Sequence, residues 1–243
     1  MKLALFFTYS MSLEKWDKIG SLSREIKPYQ MLAKDFGQVY FFTYGSKKDF
    51  SFASFVGDNI IIKPKRINLP DFLYGFLMPF FYWKTFKKID IFKTNQMAGV
   101  VPAVLAKIFF KKKLVLRNGY EWLNVLIKEK KALWKIIAIT LLEAVAYKMA
   151  DIIVFTSVKD KNFAKNKFKI LEKKIKILPN AIDTKIFKPN QAIEKEKARI
   201  VFVGRFSKEK NLFNLLRAVK LIEFPVKLVF IGQGKLKKDL EEF

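Results

Sequence analysis

Apolar residues in this chain fall into short continuous runs, separated by longer stretches in which they recur every three or four positions. Short runs rich in β-branched and aromatic residues predict strands buried on both faces, as in a parallel sheet. Such runs span Lys2 to Tyr9, Val39 to Tyr44, Asn59 to Lys63, Ile89 to Lys93, Leu114 to Arg117, Asp151 to Thr156 and Ile175 to Leu178. Helical spacing appears between them. Ile26, Tyr29, Leu32 and Ala33 share one face of a predicted helix from about Leu22 to Phe36, an apolar helix follows from about Val100 to Phe110, and Leu133, Ile136, Ile137, Leu141, Val145 and Met149 mark a long one ending at Met149. The stretches SMSLEKWDKIGS and KKDFSFASFVGDN are polar and predict loops. Strands alternating with crossover helices predict an α/β fold.

The pattern repeats after a break. The polar, Pro-containing tract PNAIDTKIFKPNQAIEKEKA has the make-up of a linker, which predicts a first domain over 1–190 and a second over 191–243. In the second, Ile200 to Val203 ends on Gly204, and Val226 to Ile231 ends in GQG. Two strands closing on glycine turns should lie side by side, where parallel sheets place ligands. Arg205 and Lys210 flank the first turn, and the helix beyond carries Leu212, Leu215, Leu216 and Val219 on one face. Orphan N–H groups and the positive end of that helix, joined by two cationic side chains, make an anion site. A βαβ unit of any Rossmann-like protein with a surface Arg and Lys would read the same way.

Topology also gathers polar residues in the first domain. The loop TNQMAG, with Asn95 and Gln96, and the loop RNGYEW, with Arg117, Asn118, Tyr120 and Glu121, both follow strands and so belong at the carboxyl edge of one sheet. An acceptor-side pocket or a set of ordinary loop residues would both fit.

Composition narrows the chemistry. The 243 residues contain no cysteine and no histidine, so disulfides, thiolate or imidazole metal sites and the commonest general base are excluded. Lys and Arg number 47 against 22 acidic residues, a formal charge of +25 carried mostly by lysine. Lysine attracts anionic surfaces without the fork geometry that reads phosphate or guanine. The excess matches AT-rich coding, and also attachment to an anionic membrane. The stretch LPDFLYGFLMPFFYWKTFKK concentrates aromatics bordered by lysines, as either a core helix or a monotopic anchor. Pro79 argues against one straight helix there. Lys128, Lys130, Lys131 and Lys135 crowd a helix N-terminus, where cations oppose the dipole. No apolar run reaches the roughly 18 residues of a transmembrane helix, and the expectation is a cytoplasmic protein. Lysines spread along the whole chain, without a helix-turn-helix or RNA-binding signature, argue against a nucleic-acid partner.

The succession ILPNAIDTKIFKP, VGRFSKEKN, a helix and KLVFIGQG resembles the group 1 (family 4) glycosyltransferases of the two-domain GT-B fold. The resemblance implies an N-terminal Rossmann-like domain plus the start of a second one. It implies a nucleotide-sugar donor and a glycan or lipid-linked acceptor, with retention of configuration, no metal and no further cofactor, in cell-envelope or polysaccharide synthesis. By residue match, Arg205 and Lys210 of the GR-x4-K segment bind the donor diphosphate beside Gly204. Gly20, before the first long helix, approaches the diphosphate from the other domain, and Asn180 sits where the family's PN-G-[IV]-D segment lies near the donor, with Ala181 in place of the glycine. Many relatives carry a histidine where this chain has Arg117 to Glu121, so no residue is assigned the catalytic role. The family's E-x7-E segment does not occur before Phe243, and the chain is expected to be cut short, with weak or absent transfer on its own. A second domain of about 50 residues should leave one face of its sheet bare.

Overall fold

Seven parallel strands organise the N-terminal part of the chain in a computed structural model that describes residues 1–119, 122–190 and 196–243. The strands are β1 (Lys2–Phe6), β2 (Gln38–Phe42), β3 (Ile60–Lys63), β4 (Ile91–Thr94), β5 (Lys113–Asn118), β6 (Ile152–Phe155) and β7 (Ile175–Ile177). Their order is β3-β2-β1-β4-β5-β6-β7. Leu3 pairs with Val39 on one side and Ile91 on the other. The strand order therefore reverses at β1 and β4, the position at which open α/β sheets bind ligands.

Alternation along β1 divides the core in two. Ala4 and Phe6 join the cluster that holds Phe42, Phe92 and Leu114. Leu3, Leu5 and Phe7 join the cluster built with Trp16, Ile26, Tyr29 and Phe41. The first cluster centres on Phe86, whose ring lies 5.5 Å from Phe6, 4.6 Å from Phe42, 5.5 Å from Phe92 and 5.7 Å from Phe110. Edge-to-face packing of this kind adds specific attraction to area burial.

Two polar stretches expected to be loops contain helix. Within SMSLEKWDKIGS, Leu13–Lys18 is an α-helix whose N-cap Ser12 accepts from the Lys15 N–H. Leu13 and Trp16 are buried, and Trp16 stacks on Phe7 at 4.2 Å. Two apolar side chains a turn apart suffice for so short a helix, a pattern too brief to read as periodic. In KKDFSFASFVGDN, a 3₁₀ turn over Lys47–Phe52 runs into the helix Ala53–Val56, with Asp49 buried and accepting from Thr43 Oγ1 at 2.5 Å. The aromatic stretch forms two helices, Asp71–Phe81 and Trp83–Phe86, the first ending two residues beyond Pro79. Tyr74, Met78, Tyr82 and Phe86 are buried, whereas Phe72, Phe76 and Phe80 are exposed. Core and surface readings each describe one side of it. Among the described residues no helix is long and apolar enough to cross a membrane.

The chain divides into Met1–Ile182 and Asp183–Phe243, a break that falls inside the linker-like tract and ahead of residue 190. The second unit has two parallel strands, β8 (Arg199–Val203) and β9 (Lys227–Ile231), with the helix Leu212–Lys220 between them. Burial alternates along β8, and Val201, Val203 and Ile231 are exposed. One apolar face of this sheet is bare, as its size predicts.

Replacing Phe86 by Ala should cost about 3–5 kcal/mol, because the cavity would open among rings that cannot collapse into it. Phe80→Ala, on the exposed side of the same segment, should cost no more than about 1 kcal/mol. Urea denaturation of the two variants measures the contrast.

Candidate functional site

The carboxyl edge of the seven-stranded sheet is held by one guanidinium. Arg117, near the end of β5, donates from Nη1 to the Asn95 carbonyl at 3.2 Å and from Nη2 to Asn180 Oδ1 at 2.6 Å. Its backbone N–H donates to Thr94 Oγ1 at 3.0 Å. The segments after β4, β5 and β7 are thereby tied at one place. Gln96 joins them, accepting from the Gly119 N–H at 3.0 Å, and Thr156 donates to the Gly119 carbonyl at 3.0 Å.

Beneath Arg117 runs a chain of polar contacts. Lys93 of β4 donates to the Tyr29 hydroxyl at 2.8 Å, and its ammonium lies 5.0 Å from the Tyr29 ring centroid. Tyr29 donates to Asn95 Oδ1 at 3.2 Å, and Asn95 Nδ2 reaches Glu25 Oε2 at 3.4 Å. Glu25 also pairs with Arg24 at 2.9 Å. Desolvation, reinforced by the Arg117 charge and only partly opposed by Glu25, pulls the Lys93 ammonium down to about 7. Burial pushes the Tyr29 hydroxyl well above the usual phenol range. Tyr29 is therefore a neutral donor, while Lys93 is poised between charged and neutral forms. Neither residue is among the site residues expected from the sequence. Lys93 closed a predicted strand and Tyr29 faced inward from a helix. A lysine within an apolar run was the available signal, since lysine is seldom buried without a partner.

The residues expected at this edge do not all face outward. Asn180 is exposed, and Arg117 and Gln96 are half-buried. Asn95 is buried but part of the network. Asn118 is fully buried and donates to the Tyr147 hydroxyl at 2.6 Å, which makes it a brace for the loop. Tyr120 and Glu121 lie outside the described residues. Gly20 is exposed at φ +67°, a conformation that favours glycine, and a β-carbon there would meet open space. With Asp17, Leu22, Ser23, Phe52 and Phe55 it lines a depression of about 270 Å³. Glu25, in the first turn of the helix Leu22–Phe36, links that helix start to Asn95. A larger hollow of about 800 Å³ opens at the opposite, amino edge, among Lys113, Lys148, Asp151 and Lys174. None of the network residues lines it.

In the second unit the glycine turns meet as expected. The Gly204 N–H donates to the Ile231 carbonyl at 3.0 Å, and the Phe206 N–H to the Gln233 carbonyl at 2.9 Å. A β-carbon on Gly232 would overlap the Gly204 carbonyl oxygen, and one on Gly234 the Phe206 backbone. Only glycine permits this approach. Arg205 and Lys210 project from the joined turns as exposed cations. Between them in sequence lies Glu209, whose carboxyl is held below the ordinary range by Ser207, by its own N–H and by the two cations.

The chain thus joins a seven-stranded parallel α/β unit to a second unit whose two parallel strands end on joined glycine turns. The model of Glycosyltransferase Family 4 matches residues 29–186, more than half of the chain, and the chain belongs to that family. The model described as glycosyl transferases group 1 matches residues 183–243, the second unit. An uncharacterized glycosyltransferase of Methanocaldococcus jannaschii is 35% identical over 108 residues, 40% of this chain and 27% of that protein. Among solved structures, HepE of Anabaena in complex with UDP is similar at TM-score 0.67 and 13% identity. The same protein in complex with UDP and glucose gives 0.65 at 14%. The lipopolysaccharide outer core galactosyltransferase WaaB gives 0.59 at 17%. Each alignment takes in 100% of this chain and 64% of the other. At these identities the likeness shows the fold, which is GT-B-like.

Lys93 carries a pH signature. Below about pH 7 the folded and unfolded chains both hold its proton, and the cost of burying the charge is present in full. Between about 7 and 10.5 the folded chain has released the proton and the unfolded chain has not, so stability rises with pH across that window. Solvent reaches the half-buried side chain, and the gain should be on the order of 1–3 kcal/mol. Urea midpoints from neutral to alkaline pH should rise for the wild type, and Lys93→Met should remove the lysine's part of that rise.

Proposed function

We propose that this chain binds a nucleotide sugar and, within a complete enzyme, transfers the sugar with retention to a glycan or lipid-linked acceptor in cell-envelope or polysaccharide synthesis. The observation that carries the reading is the pair Arg205 and Lys210, exposed beside a turn that only glycine can form. UDP and UDP-glucose in the HepE complexes support a nucleotide-sugar donor. In this reading the two cations hold the diphosphate and offset the charge that grows as the bond from the sugar to phosphate breaks. The acceptor hydroxyl bonds to the same face of the sugar and passes its proton to the departing phosphate oxygen. Neither a protein nucleophile nor a divalent ion is called for, in keeping with a chain that contains no histidine.

Acceptor recognition falls to Gln96 and Arg117 at the edge above the buried Asn95, with Asn180 on the donor side. These groups present donors and acceptors suited to sugar hydroxyls. The reading carries a cytoplasmic location. A second reading, donor binding without transfer by this chain alone, is favoured by the bare face of β8 and β9. The chain also spans only 64% of the length of the HepE and WaaB structures.

Calorimetric titration with UDP tests the donor site. Arg205→Ala and Lys210→Ala should each weaken binding by about 10- to 100-fold, the value of one charge-assisted hydrogen-bonding group. Wild-type affinity in both variants would sink the assignment.

A further inference from the structure

The helix Asp71–Phe81 buries only one of its sides. Tyr74 and Met78 face the core, while Phe72, Phe76 and Phe80 remain exposed, with Trp83 just beyond. Their rings fall into two contacting groups. Phe72 lies 4.9 Å from Phe76, and Phe109 of the neighbouring helix Val100–Phe110 lies 5.1 Å from Phe80 and 6.0 Å from Trp83. The helix Leu133–Met149 packs on Val100–Phe110 and adds an exposed stripe of Trp134, Ile137, Leu141 and Val145. Large side chains left in water over three associated helices need an apolar partner.

Charge identifies that partner. No Asp or Glu occurs between Asp71 and Asp90, or between Asp90 and Glu121. The same stretches carry exposed Lys84, Lys87, Lys88 and Lys111. Lys87 leans on the Trp83 ring at 5.9 Å, so cation and aromatic occupy one border. A folded acidic partner would be met best by arginine forks, whereas these cations are flexible, strongly hydrated lysines. Lysine suits a fluid layer of phosphates, where its stem lies along apolar surface and its head stays at the level of the charges. Phenylalanine and tryptophan suit the depth just below.

We propose that the aromatic face of the helices Asp71–Phe81 and Val100–Phe110, with its lysine border, is a monotopic docking surface for an anionic lipid bilayer. Docking needs neither donor nor acceptor and so stands apart from sugar transfer.

Flotation of the chain with phosphatidylcholine vesicles, with and without phosphatidylglycerol, tests it. The chain should float with the anionic vesicles, and Trp fluorescence should shift to the blue with Trp83 present and far less in Trp83→Phe. Joint replacement of Lys84, Lys87 and Lys88 by Gln should lower partitioning by about 100-fold, since each lysine at a headgroup surface is worth roughly a factor of five. Joint replacement of Lys34, Lys47 and Lys48 by Gln removes the same charge elsewhere and should change it far less. Phe76→Ser with Phe80→Ser should also release the chain. The lysine variants, altered only at exposed positions, decide the matter if the serine variant fails to fold.

Equal losses in the two lysine triples would reduce the effect to net charge and overturn the proposal. So would vesicle binding that ignores lipid charge. Self-association that the serine pair abolishes, without vesicle binding, would assign the face to a second copy. Binding by this chain but not by a longer form of the protein would assign it to further chain.

Discussion

A strand in a parallel sheet must be covered on both faces, and this requirement shapes the first unit more than any individual contact. It explains why β1 and β2 are almost wholly apolar, and why helices lie over each side of the sheet. It also sends every strand out at the same edge, so that loops distant in sequence arrive together. Asn95, Arg117 and Asn180 meet because the parallel strands before them all leave the sheet at one edge, and their hydrogen bonds then fix what the topology has assembled. The second unit obeys the requirement incompletely. Its two strands support a precise glycine turn at one end while Val201 and Val203 stand uncovered along their length.

The two candidate sites use opposite electrostatic strategies. In the first unit a cation is drawn into the sheet, where the aromatic face and hydroxyl of Tyr29 receive Lys93 while the Arg117 charge works against its proton. The result is a network held near its own balance point. In the second unit Arg205 and Lys210 stay in solvent, and what is built with care is the backbone beneath them.

Much of this was legible before any coordinates. Apolar runs marked the strands, Gly204 and the GQG sequence marked the joined turns, and loop order marked the carboxyl edge. Tertiary context was harder to foresee. The Lys93–Tyr29 contact spans 64 residues and the Asn95–Glu25 contact 70, and neither strand nor helix pattern encodes a partner so far away. Asn118 looked like a loop residue open to ligand, yet its neighbour Tyr147 arrives from a helix 29 positions later and takes it inward. The helix Leu13–Lys18 escaped notice because Leu13 and Trp16 are its only buried residues, too few to show a period. For Asp71–Phe81 the composition was equally consistent with core and surface, and the helix serves both.

The lysine beneath Tyr29 has one more consequence. A protein without histidine lacks the side chain whose ordinary proton equilibrium falls between mildly acidic and mildly alkaline conditions. Burial draws Lys93 into that range. A change of pH near neutrality therefore alters charge inside the sheet itself, at a nitrogen of the fourth strand seated against Tyr29, and not only at the surface.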